Sequence, residues 1–226
     1  MDAAEAAKIV AAQKSLEFIK DGMVVGLGSG STATHFIKLL GEKVKAGLKI
    51  RSISSSKASE DLARSLSIPI TDFRQSPEID VAIDGADEIG PHLALVKGGG
   101  GALLREKIVA SAAKRFIVVA DSSKIVRRLG KFPLPVEVIP MAAPLVEKKI
   151  LGLGIRCKVR QAKSGGDYVT DEGNLILDCE CGEIPDPDAL AASIRAMVGV
   201  VEHGLFLNMA EMALVADGAE VKTIYK

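Results

Sequence analysis

The sequence predicts an α/β protein with a mostly parallel, doubly wound (Rossmann-like) sheet and a second, smaller α+β domain. Short apolar segments alternate with helical segments as far as residue 120, which is the order that parallel strands joined by crossover helices require. A glycine-rich turn joins the first such strand, 23–27, to the helix after it. After Lys131 the alternation ends, and prolines and short strand-like segments separated by turns indicate the smaller domain.

Each element of the larger domain has its own local signal. Apolar residues at helical spacing predict the helices, short apolar runs predict the strands, and Asp21-Gly22 ends the first helix. In chain order the predicted helices cover 3–20, the loop at 28–32 to about 45, 58–66 and 102–113, and the predicted strands cover 23–27, 48–53, 68–71, 79–83 and 116–120.

The smaller domain begins at a proline-rich stretch, 132–135. An N-cap followed by proline starts its second helix at about residue 186. Its predicted strands are 136–139, 174–178 and two segments that flank a turn at 163–167, and its predicted helices are 144–151 and about 186–197. The tail is expected to return to the first domain, with late strands at 213–215 and 221–224. The predicted domains are therefore 1–131 with 204–226, and 132–203.

Composition and charge narrow the functional classes. The chain carries 29 basic and 29 acidic side chains, whereas a nucleic-acid binder usually has a basic excess. An acidic start and short apolar runs indicate neither a signal peptide nor a membrane span. The three cysteines predict no disulfide framework, and Cys179-x-Cys181 has no nearby histidine to complete a zinc set. We expect a cytoplasmic protein that binds neither nucleic acid nor membrane and holds no metal at its cysteines.

The first candidate site is the loop Gly-Ser-Gly-Ser-Thr at 28–32, between a strand and a helix. Glycines let the backbone approach an anion, and the helix N-terminus supplies N–H groups and a favourable dipole. The Gly-Lys-Ser/Thr ending of a Walker loop is missing. A dinucleotide site is disfavoured, because Ser31 replaces the third glycine and serines occupy 54–56, where a ribose-binding acid is expected. The loop therefore predicts a phosphate monoester site.

Two further runs follow, at 84–88 and 97–101. The first, Asp-Gly-Ala-Asp-Glu, places three carboxylates at the carboxyl end of a strand, where open α/β sheets bind ligands. Magnesium and sugar hydroxyls are the two ligands that such a carboxylate cluster could bind. The second joins Lys97 to four glycines. Successive glycines lose backbone entropy on folding, which predicts that another group approaches the main chain closely. Their N–H groups and Lys97 could hold a developing oxyanion.

Glu106 is the candidate proton-transfer base. At helical spacing it falls among Leu103, Val109 and Ala110, whereas its two basic chain neighbours point away. An apolar surrounding removes hydration, which raises the pKa of a carboxyl and makes it a better base near neutral pH. The nearby helix N-terminus favours the charged form and opposes this effect. The sequence leaves the balance between the two open.

These runs, in this order, resemble ribose-5-phosphate isomerases of the A type. The resemblance also includes the stretches 130–140 and 199–206 and covers essentially the whole chain. It depends on the combination of Asp-Gly-Ala-Asp-Glu, Lys-Gly-Gly-Gly-Gly and Arg-Glu-Lys rather than on any single loop. It implies an enzyme of the non-oxidative pentose phosphate pathway that interconverts D-ribose 5-phosphate and D-ribulose 5-phosphate without a metal or an organic cofactor.

The resemblance also implies roles for individual residues. Glu106 would shuttle a proton between C1 and C2 through an enediol(ate), Asp84 would help to open the furanose ring, and Lys97 would support charge on the reacting oxygens. Asp84 and Lys97 would contact the substrate together with Lys8, Gly28, Ser29, Gly30, Ser31, Thr32, Asp87, Gly98, Gly99, Gly100, Gly101 and Lys124. The smaller domain is implied to form homodimers, or homotetramers built from them.

Three other functions stay open at this point. A sugar-phosphate-sensing domain would need no base and would be expected beside a helix-turn-helix and a basic surface. A nucleotide-dependent oxidoreductase fits the loop at 28–32 poorly, for the reasons above. An acyl-transferring enzyme would use a glutamate as a nucleophile and would form a covalent adduct.

Overall fold

The computed structural model describes residues 3–226. Within this range the helices are α1 (Ala3–Ser15), α2 (Gly30–Lys45), α3 (Lys57–Ser65), α4 (Leu103–Ser111), α5 (Ala143–Gly152) and α6 (Pro187–Arg195). The strands are β1 (Val24–Leu27), β2 (Arg51–Ser54), β3 (Val81–Asp84), β4 (Glu88–Ile89), β5 (Leu95–Val96), β6 (Phe116–Asp121), β7 (Leu134–Val138), β8 (Arg156–Val159), β9 (Leu175–Glu180), β10 (Val200–His203), β11 (Leu205–Phe206), β12 (Met212–Asp217) and β13 (Glu220–Tyr225). No helix in the described range is long and apolar enough to cross a membrane.

The chain divides into two compact units. The first comprises the chain up to Ala86, Arg105–Ile125 and Asn208–Lys226, and the second comprises Asp87–Leu104 and Val126–Leu207. The predicted domains differ from this division at 87–104, 126–131 and 204–207, all of which lie in the second unit. The difference at 87–104 and 204–207 arises from a small antiparallel sheet of order β11-β5-β4. Its strands are two residues long, too short to produce a recognisable pattern in the sequence. The segment 126–131 joins this sheet through the N–H of Val126, which donates to the carbonyl oxygen of Ile89 on β4 (2.9 Å).

The first unit is built around a six-stranded sheet of order β13-β12-β6-β3-β1-β2. All neighbouring strands in it are parallel except for β12 and β13, which are antiparallel. β1, β3 and β6 are buried along their whole length, as expected for a parallel sheet covered on both faces. Their side chains share one core with Ala11 of α1 and with Phe36 and Leu40 of α2. The predicted α/β class is confirmed.

The second unit contains a four-stranded antiparallel sheet of order β10-β7-β9-β8, which packs against α5. Val136, Val146 and Leu177 are fully buried in its core. Cys157 on β8 lies opposite Cys179 on β9, and both are free thiols. Both cysteines are therefore strand residues. Among residues 3–226 no group of three or more His, Cys, Asp or Glu side chains is arranged to hold a metal ion.

Local capping signals account for two of the helix starts. The Asp186 side chain accepts a hydrogen bond from the N–H of Ala189 (2.9 Å), and Pro187 occupies the first turn of α6, as predicted. Ser56 and Ser59 form a reciprocal capping box at the start of α3. The helix that follows the serine run at 54–56 is therefore fixed at its first turn by hydroxyl groups.

Several segments differ from the prediction besides the two-residue strands. The segment 68–71, predicted as a strand, forms only an isolated bridge between Ser52 and Ile70. Pro69 has no N–H group to donate, so the ladder does not extend through it. Conversely, β10 was not predicted, although it pairs with β7 across an irregular register between Val200 and Glu202. Such a register shift breaks the alternation by which a strand is recognised.

Candidate active site

The glycine loop 28–30 leads from β1 into α2. The N–H of Gly28 donates to the carbonyl oxygen of Ile83 on β3 (2.9 Å), so the loop lies against the end of that strand. A Cβ atom on Gly28 would lie 2.6 Å from the Cα atom of Asp84, a separation that real side chains do not adopt. Gly30 has a φ of +87°, in the left-handed region that favours glycine. Backbone geometry therefore requires both glycines.

Ser29 is held by the ends of two neighbouring strands. Its N–H donates to Oδ1 of Asp84 (3.0 Å), and its hydroxyl lies 2.8 Å from the Ser55 hydroxyl and 2.9 Å from that of Ser56. Both serines follow β2, which is paired in parallel with β1 and therefore ends at the same edge of the sheet. Sequence reasoning did not include Ser55 and Ser56 in the site. The serine run at the end of an adjacent strand was the signal that could have identified them.

Ser31 and Thr32 occupy the first turn of α2, where the N–H groups and the helix dipole favour an anion. A short chain of contacts links Lys8 of α1 to α2. The Lys8 ammonium is 3.2 Å from Oε2 of Glu5, and Oε1 of Glu5 is 2.6 Å from Nε2 of His35 on α2. Hydrogen bonds from His35 and Lys8 hold the pKa of Glu5 below its usual value. The first unit thus places a lysine beside the helix that begins at the glycine loop.

Asp84 is the last residue of β3 and is 4% exposed. Its Oδ1 accepts the N–H of Ser29 and that of Gly85 (2.7 Å), which fixes the orientation of the carboxylate. The neighbouring parallel strand β6 runs past Asp84 and is followed by a single turn of 3-10 helix that contains Lys124. Lys124 is half-buried. Asp84, Ser29 and Lys124 therefore all belong to the carboxyl edge of one sheet.

Glu106 lies in the first turn of α4 and is 4% exposed. Leu103, Val109 and Ala110 are also buried, as expected for one arc of the helix. Lys107, which follows Glu106 in the chain, is buried as well. The structure therefore provides a carboxylate shielded from bulk water at the start of a helix, where the N–H groups and the dipole favour a negative charge.

The other two carboxylates of the 84–88 run, those of Asp87 and Glu88, have different hydrogen-bond partners. Oδ2 of Asp87 accepts the N–H of Gly99 (2.8 Å). Glu88 is buried, and its carboxylate accepts the N–H groups of Gly130 and Phe132, both at 2.7 Å. Glu88 thus has a structural role in the second unit. The sugar-binding role of Asp84 and Asp87 stays a prediction.

The glycine run folds into a tight turn. The N–H of Gly101 donates to the carbonyl oxygen of Gly98 (2.9 Å), and both residues have positive φ angles, +85° and +104°. A Cβ atom on Gly99 would lie 2.6 Å from Oδ1 of Asp87, and one on Gly101 would lie 2.5 Å from the Tyr168 ring. The close approach that the sequence predicted is therefore made by side chains of the same unit. An oxyanion would have to compete with Asp87 and Gly98 for the N–H groups of Gly99 and Gly101.

Lys97 precedes this turn and is 2% exposed. Its backbone N–H donates to the carbonyl oxygen of Gly204 (2.9 Å), which ties it to the chain entering β11. Its ammonium nitrogen lies 5.5 Å from the centroid of the Phe206 ring, within the range of a cation–π interaction. The fold thus holds a shielded positive charge at the start of the glycine run.

Glu137 on β7 supports the start of α4. Its carboxylate accepts hydrogen bonds from the Thr170 hydroxyl and the Asn174 amide, both at 2.9 Å, and from the backbone N–H of Leu104. Burial raises the pKa of Glu137, and the hydrogen bonds from Asn174 and Thr170 oppose that shift. Sequence reasoning did not single out this residue. Leu104 lies two residues before Glu106, so the cap acts on the turn that carries the candidate base.

The structure gathers the predicted residues within each unit. The first unit contains Gly28, Ser29, Gly30, Ser31, Thr32 and Asp84 at one strand edge, with Lys8, Glu106 and Lys124 on adjoining elements. The second unit contains Asp87, Lys97, Gly98, Gly99, Gly100 and Gly101 as one connected group. Their functional roles remain predictions.

Comparison with known proteins identifies one family. The family model described as ribose 5-phosphate isomerase A (phosphoriboisomerase A) matches residues 51–220. The chain is 48% identical over 221 residues to ribose-5-phosphate isomerase A of Sphingopyxis alaskensis, covering 98% of this chain and 96% of that protein. It is 50% identical over 214 residues to the protein of the same name from Parvibaculum lavamentivorans, covering 92% and 93%. A solved D-ribose-5-phosphate isomerase in complex with phospho-erythronic acid superposes with a TM-score of 0.96, at 40% identity and over 100% of both chains.

These similarities extend over nearly the whole chain and are not confined to the parallel sheet. The resemblance inferred from the three sequence motifs is confirmed. The chain belongs to the ribose 5-phosphate isomerase A family.

Proposed function

We propose that this chain interconverts D-ribose 5-phosphate and D-ribulose 5-phosphate, with Glu106 as the group that moves the proton. Family membership supports the aldose–ketose isomerase activity. The observation that carries the mechanism is the burial of Glu106 in the first turn of the helix that follows the glycine run. We place the reaction in the cytoplasm, within the non-oxidative pentose phosphate pathway.

The phosphate end of the substrate binds at residues 28–32. The N-terminus of α2 offers N–H groups and a positive dipole, and the first turn adds the hydroxyls of Ser31 and Thr32. Lys8, linked through Glu5 to α2, supplies positive charge, and Lys124 adds a second ammonium from the end of β6. Binding here anchors the sugar at a position remote from the carbons that react.

Asp84 helps to open the furanose ring. Ring opening moves the proton of the C1 hydroxyl to the ring oxygen, and a carboxylate can accept the first proton and return it to the second position. Two backbone N–H groups fix Oδ1 of Asp84, so the carboxylate presents a single orientation. Asp87, fixed by the N–H of Gly99, binds sugar hydroxyls.

Glu106 then takes the proton from C2 of the open-chain aldose. The electron pair of the broken C–H bond forms the C1–C2 double bond, and negative charge develops on O1. Lys97 and the amides of the glycine run stabilise this charge. Glu106 returns the proton to C1, while the hydroxyl proton on O2 passes to O1, which gives the ketose. No electrons are gained or lost overall.

The ligand of a related structure is compatible with this chemistry. Phospho-erythronic acid is a phosphorylated sugar acid, present in the solved isomerase noted above. Its carboxylate is planar and carries two oxygens, as does the enediolate in this mechanism. The likeness supports a phosphate subsite and an oxyanion subsite separated by a short carbon chain.

The decisive experiment measures ribulose 5-phosphate formation by the purified protein in the presence of a chelator. We expect activity in the wild type and a fall in kcat of at least about a hundredfold in Glu106→Gln, the usual scale of general-base catalysis. Glu60→Gln, at the half-buried glutamate on α3 that pairs with Arg64, is the matched control and is expected to retain wild-type kcat. No activity in the wild type rejects the assignment, and near-normal turnover of Glu106→Gln removes the base role.

We also propose that the second unit forms a homodimer, or a homotetramer built from such dimers. Apolar side chains stand on its surface, with Met141 91% exposed and Val198 78% exposed. The N–H of Ile139 donates to the carbonyl oxygen of Gly199 (3.0 Å), which brings the two segments that carry them together. A second copy of the chain would cover this surface. Sedimentation equilibrium at several protein concentrations measures the oligomeric state. A monomer at every concentration would exclude the proposed dimer and tetramer.

A further inference from the structure

Arg160, the residue that follows β8, forms hydrogen bonds to the glycine run at 98–101. Its Nη1 donates to the carbonyl oxygens of Gly98 (2.9 Å) and Gly99 (3.1 Å). Hydrogen bonds from a charged donor are roughly twice as strong as neutral ones. The partners are far apart in the sequence, so only the folded second unit brings the guanidinium to the loop.

The guanidinium of Arg160 is itself fixed in place. Asp178 on β9 accepts a bidentate pair of hydrogen bonds, Nε to Oδ2 at 3.0 Å and Nη2 to Oδ1 at 2.5 Å. The Arg160 and Asp178 side chains are only 14% and 19% exposed, so the pair is poorly screened by water. The Tyr168 ring lies 5.9 Å from the guanidinium carbon and also packs against Gly101. Arg160 therefore has one well-defined orientation.

Holding a carbonyl also fixes the N–H group of the same peptide unit. In a planar trans peptide the C=O and the N–H point in opposite directions. The carbonyl of Gly98 shares a peptide with the N–H of Gly99, and the carbonyl of Gly99 shares one with the N–H of Gly100. Both N–H groups are therefore turned away from Arg160. In agreement with this, the N–H of Gly99 reaches Oδ2 of Asp87 at 2.8 Å.

The glycine run needs such a support because glycine populates many backbone conformations. A loop that sampled several of them would present its amides to a developing charge only part of the time. A carbonyl that accepts a charged hydrogen bond also polarises its peptide, which makes the N–H on the other side a better donor. Asp178 balances the charge of Arg160. Arg160 therefore polarises the glycine run through its hydrogen bonds to the peptides and not through a net charge.

We propose that Arg160 is a positioning residue for the isomerisation. It orients and polarises the peptides of Gly98 and Gly99, so that the N–H of Gly100 faces the developing oxyanion and that of Gly99 fixes Asp87. The inference rests on the proposed function, in which the glycine run stabilises the enediolate. Arg160 acts through the loop and does not contact the reacting atoms.

The test compares Arg160→Met with Arg156→Met. Methionine keeps most of the apolar stem of Arg160 and removes the guanidinium, and Arg156 is an exposed arginine on the same strand-to-turn segment. We expect Arg160→Met to lower kcat for ribose 5-phosphate about ten- to a hundredfold, the scale of a small misplacement at a reacting centre. In the proposed function inorganic phosphate binds at 28–32, so its inhibition constant is expected to change less than about twofold. Arg156→Met is expected to retain wild-type kcat.

A purely structural role for Arg160 gives a different result. It would lower the Tm of Arg160→Met but leave kcat within about twofold of wild type wherever the variant is folded, and that outcome overturns the proposal. If Arg160→Met does not fold, Arg160→Lys carries the test, because an ammonium cannot bond to both carbonyls and to Asp178 in the same fork geometry. An intermediate loss of kcat is expected, and full kcat overturns the proposal. A wild type without isomerase activity rejects the proposed function itself, which distinguishes the two failures.

Discussion

The two glycine-rich loops, 28–30 and 98–101, are held in place by different means. The first is fixed by Asp84 and Ser55, which stand at the ends of strands paired directly with β1. The second is fixed by Arg160 and Tyr168, which come from a turn region of the smaller unit. A loop at the edge of a parallel sheet is supported by the regular repetition of strands. A loop outside such a sheet depends on individual long side chains.

Gly28→Ala is expected to have the largest effect on stability and is therefore the strongest test of the difference between the two loops. Its Cβ atom would lie 2.6 Å from the Cα atom of Asp84, and a paired strand cannot move aside. We expect the free energy of unfolding, measured by urea denaturation, to fall by about 1–3 kcal/mol, as in other overpacked sites. Gly152→Ala at the end of α5 meets no atom within 4 Å and serves as the control.

Gly99→Ala completes the comparison in the second loop. Its Cβ atom would meet only the far ends of side chains, Oδ1 of Asp87 at 2.6 Å and Cζ of Phe132 at 2.9 Å. Because side chains can rotate, the stability loss should be smaller than for Gly28→Ala. Equal losses in the two variants would contradict the distinction between a first loop confined by strand backbone and a second loop confined by side chains.

Ser55→Ala should affect substrate binding and spare turnover. The substitution removes one hydrogen-bond partner of the Ser29 hydroxyl, a net change of about 0.5–1.5 kcal/mol, or roughly two- to tenfold in affinity. We expect KM for ribose 5-phosphate to rise by this factor while kcat stays within about twofold. Arg160→Met is expected to show the opposite split. Ser65→Ala on the exposed face of α3 is the control, and a loss confined to kcat in Ser55→Ala would refute the assignment of this loop to phosphate.

Glu137→Gln should alter the pH dependence of stability, with the smallest effect of the series. Burial raises the pKa of Glu137 above its usual value of 4.5, so the folded state favours the protonated acid. Its contribution to stability is complete below that value and is lost as pH rises through the higher pKa of the folded state. Relative to Glu137→Gln, the wild type should therefore lose stability as pH rises from 4.5 toward neutrality. Urea denaturation at several pH values measures this, with exposed Glu180→Gln as the control, and a difference independent of pH would contradict it.

Much of the first unit could be predicted because its signals are local and repeated. Short apolar runs mark the buried strands, and the glycines at 28–30 mark the point where the chain must pass close to a neighbour. The burial of Glu106 follows from helical spacing alone. The family resemblance added the predicted substrate contacts of Lys8 and Lys124, which the residue pattern itself would have left as surface charges.

The supports of the second loop could not be predicted in this way. Arg160 and Glu137 look like ordinary charged residues in the sequence. Only the pairing of β7, β8 and β9 brings Arg160 to the glycine run and Glu137 to the start of α4. The strands β4, β5 and β11 are too short for an alternating pattern, which also obscured the boundary between the two units. Contacts made by tertiary structure leave no local periodicity to detect.

The close approach of Gly28 to Asp84 has a consequence for descent. A mutation that adds any side chain at position 28 places it against the backbone of residue 84. The neighbouring Ser29 amide in turn holds the carboxylate that a change at position 84 would remove. Lineages that keep the acid are therefore expected to keep the glycine, so the two positions should be inherited as a single character although Gly28 lies in the loop after β1 and Asp84 ends β3.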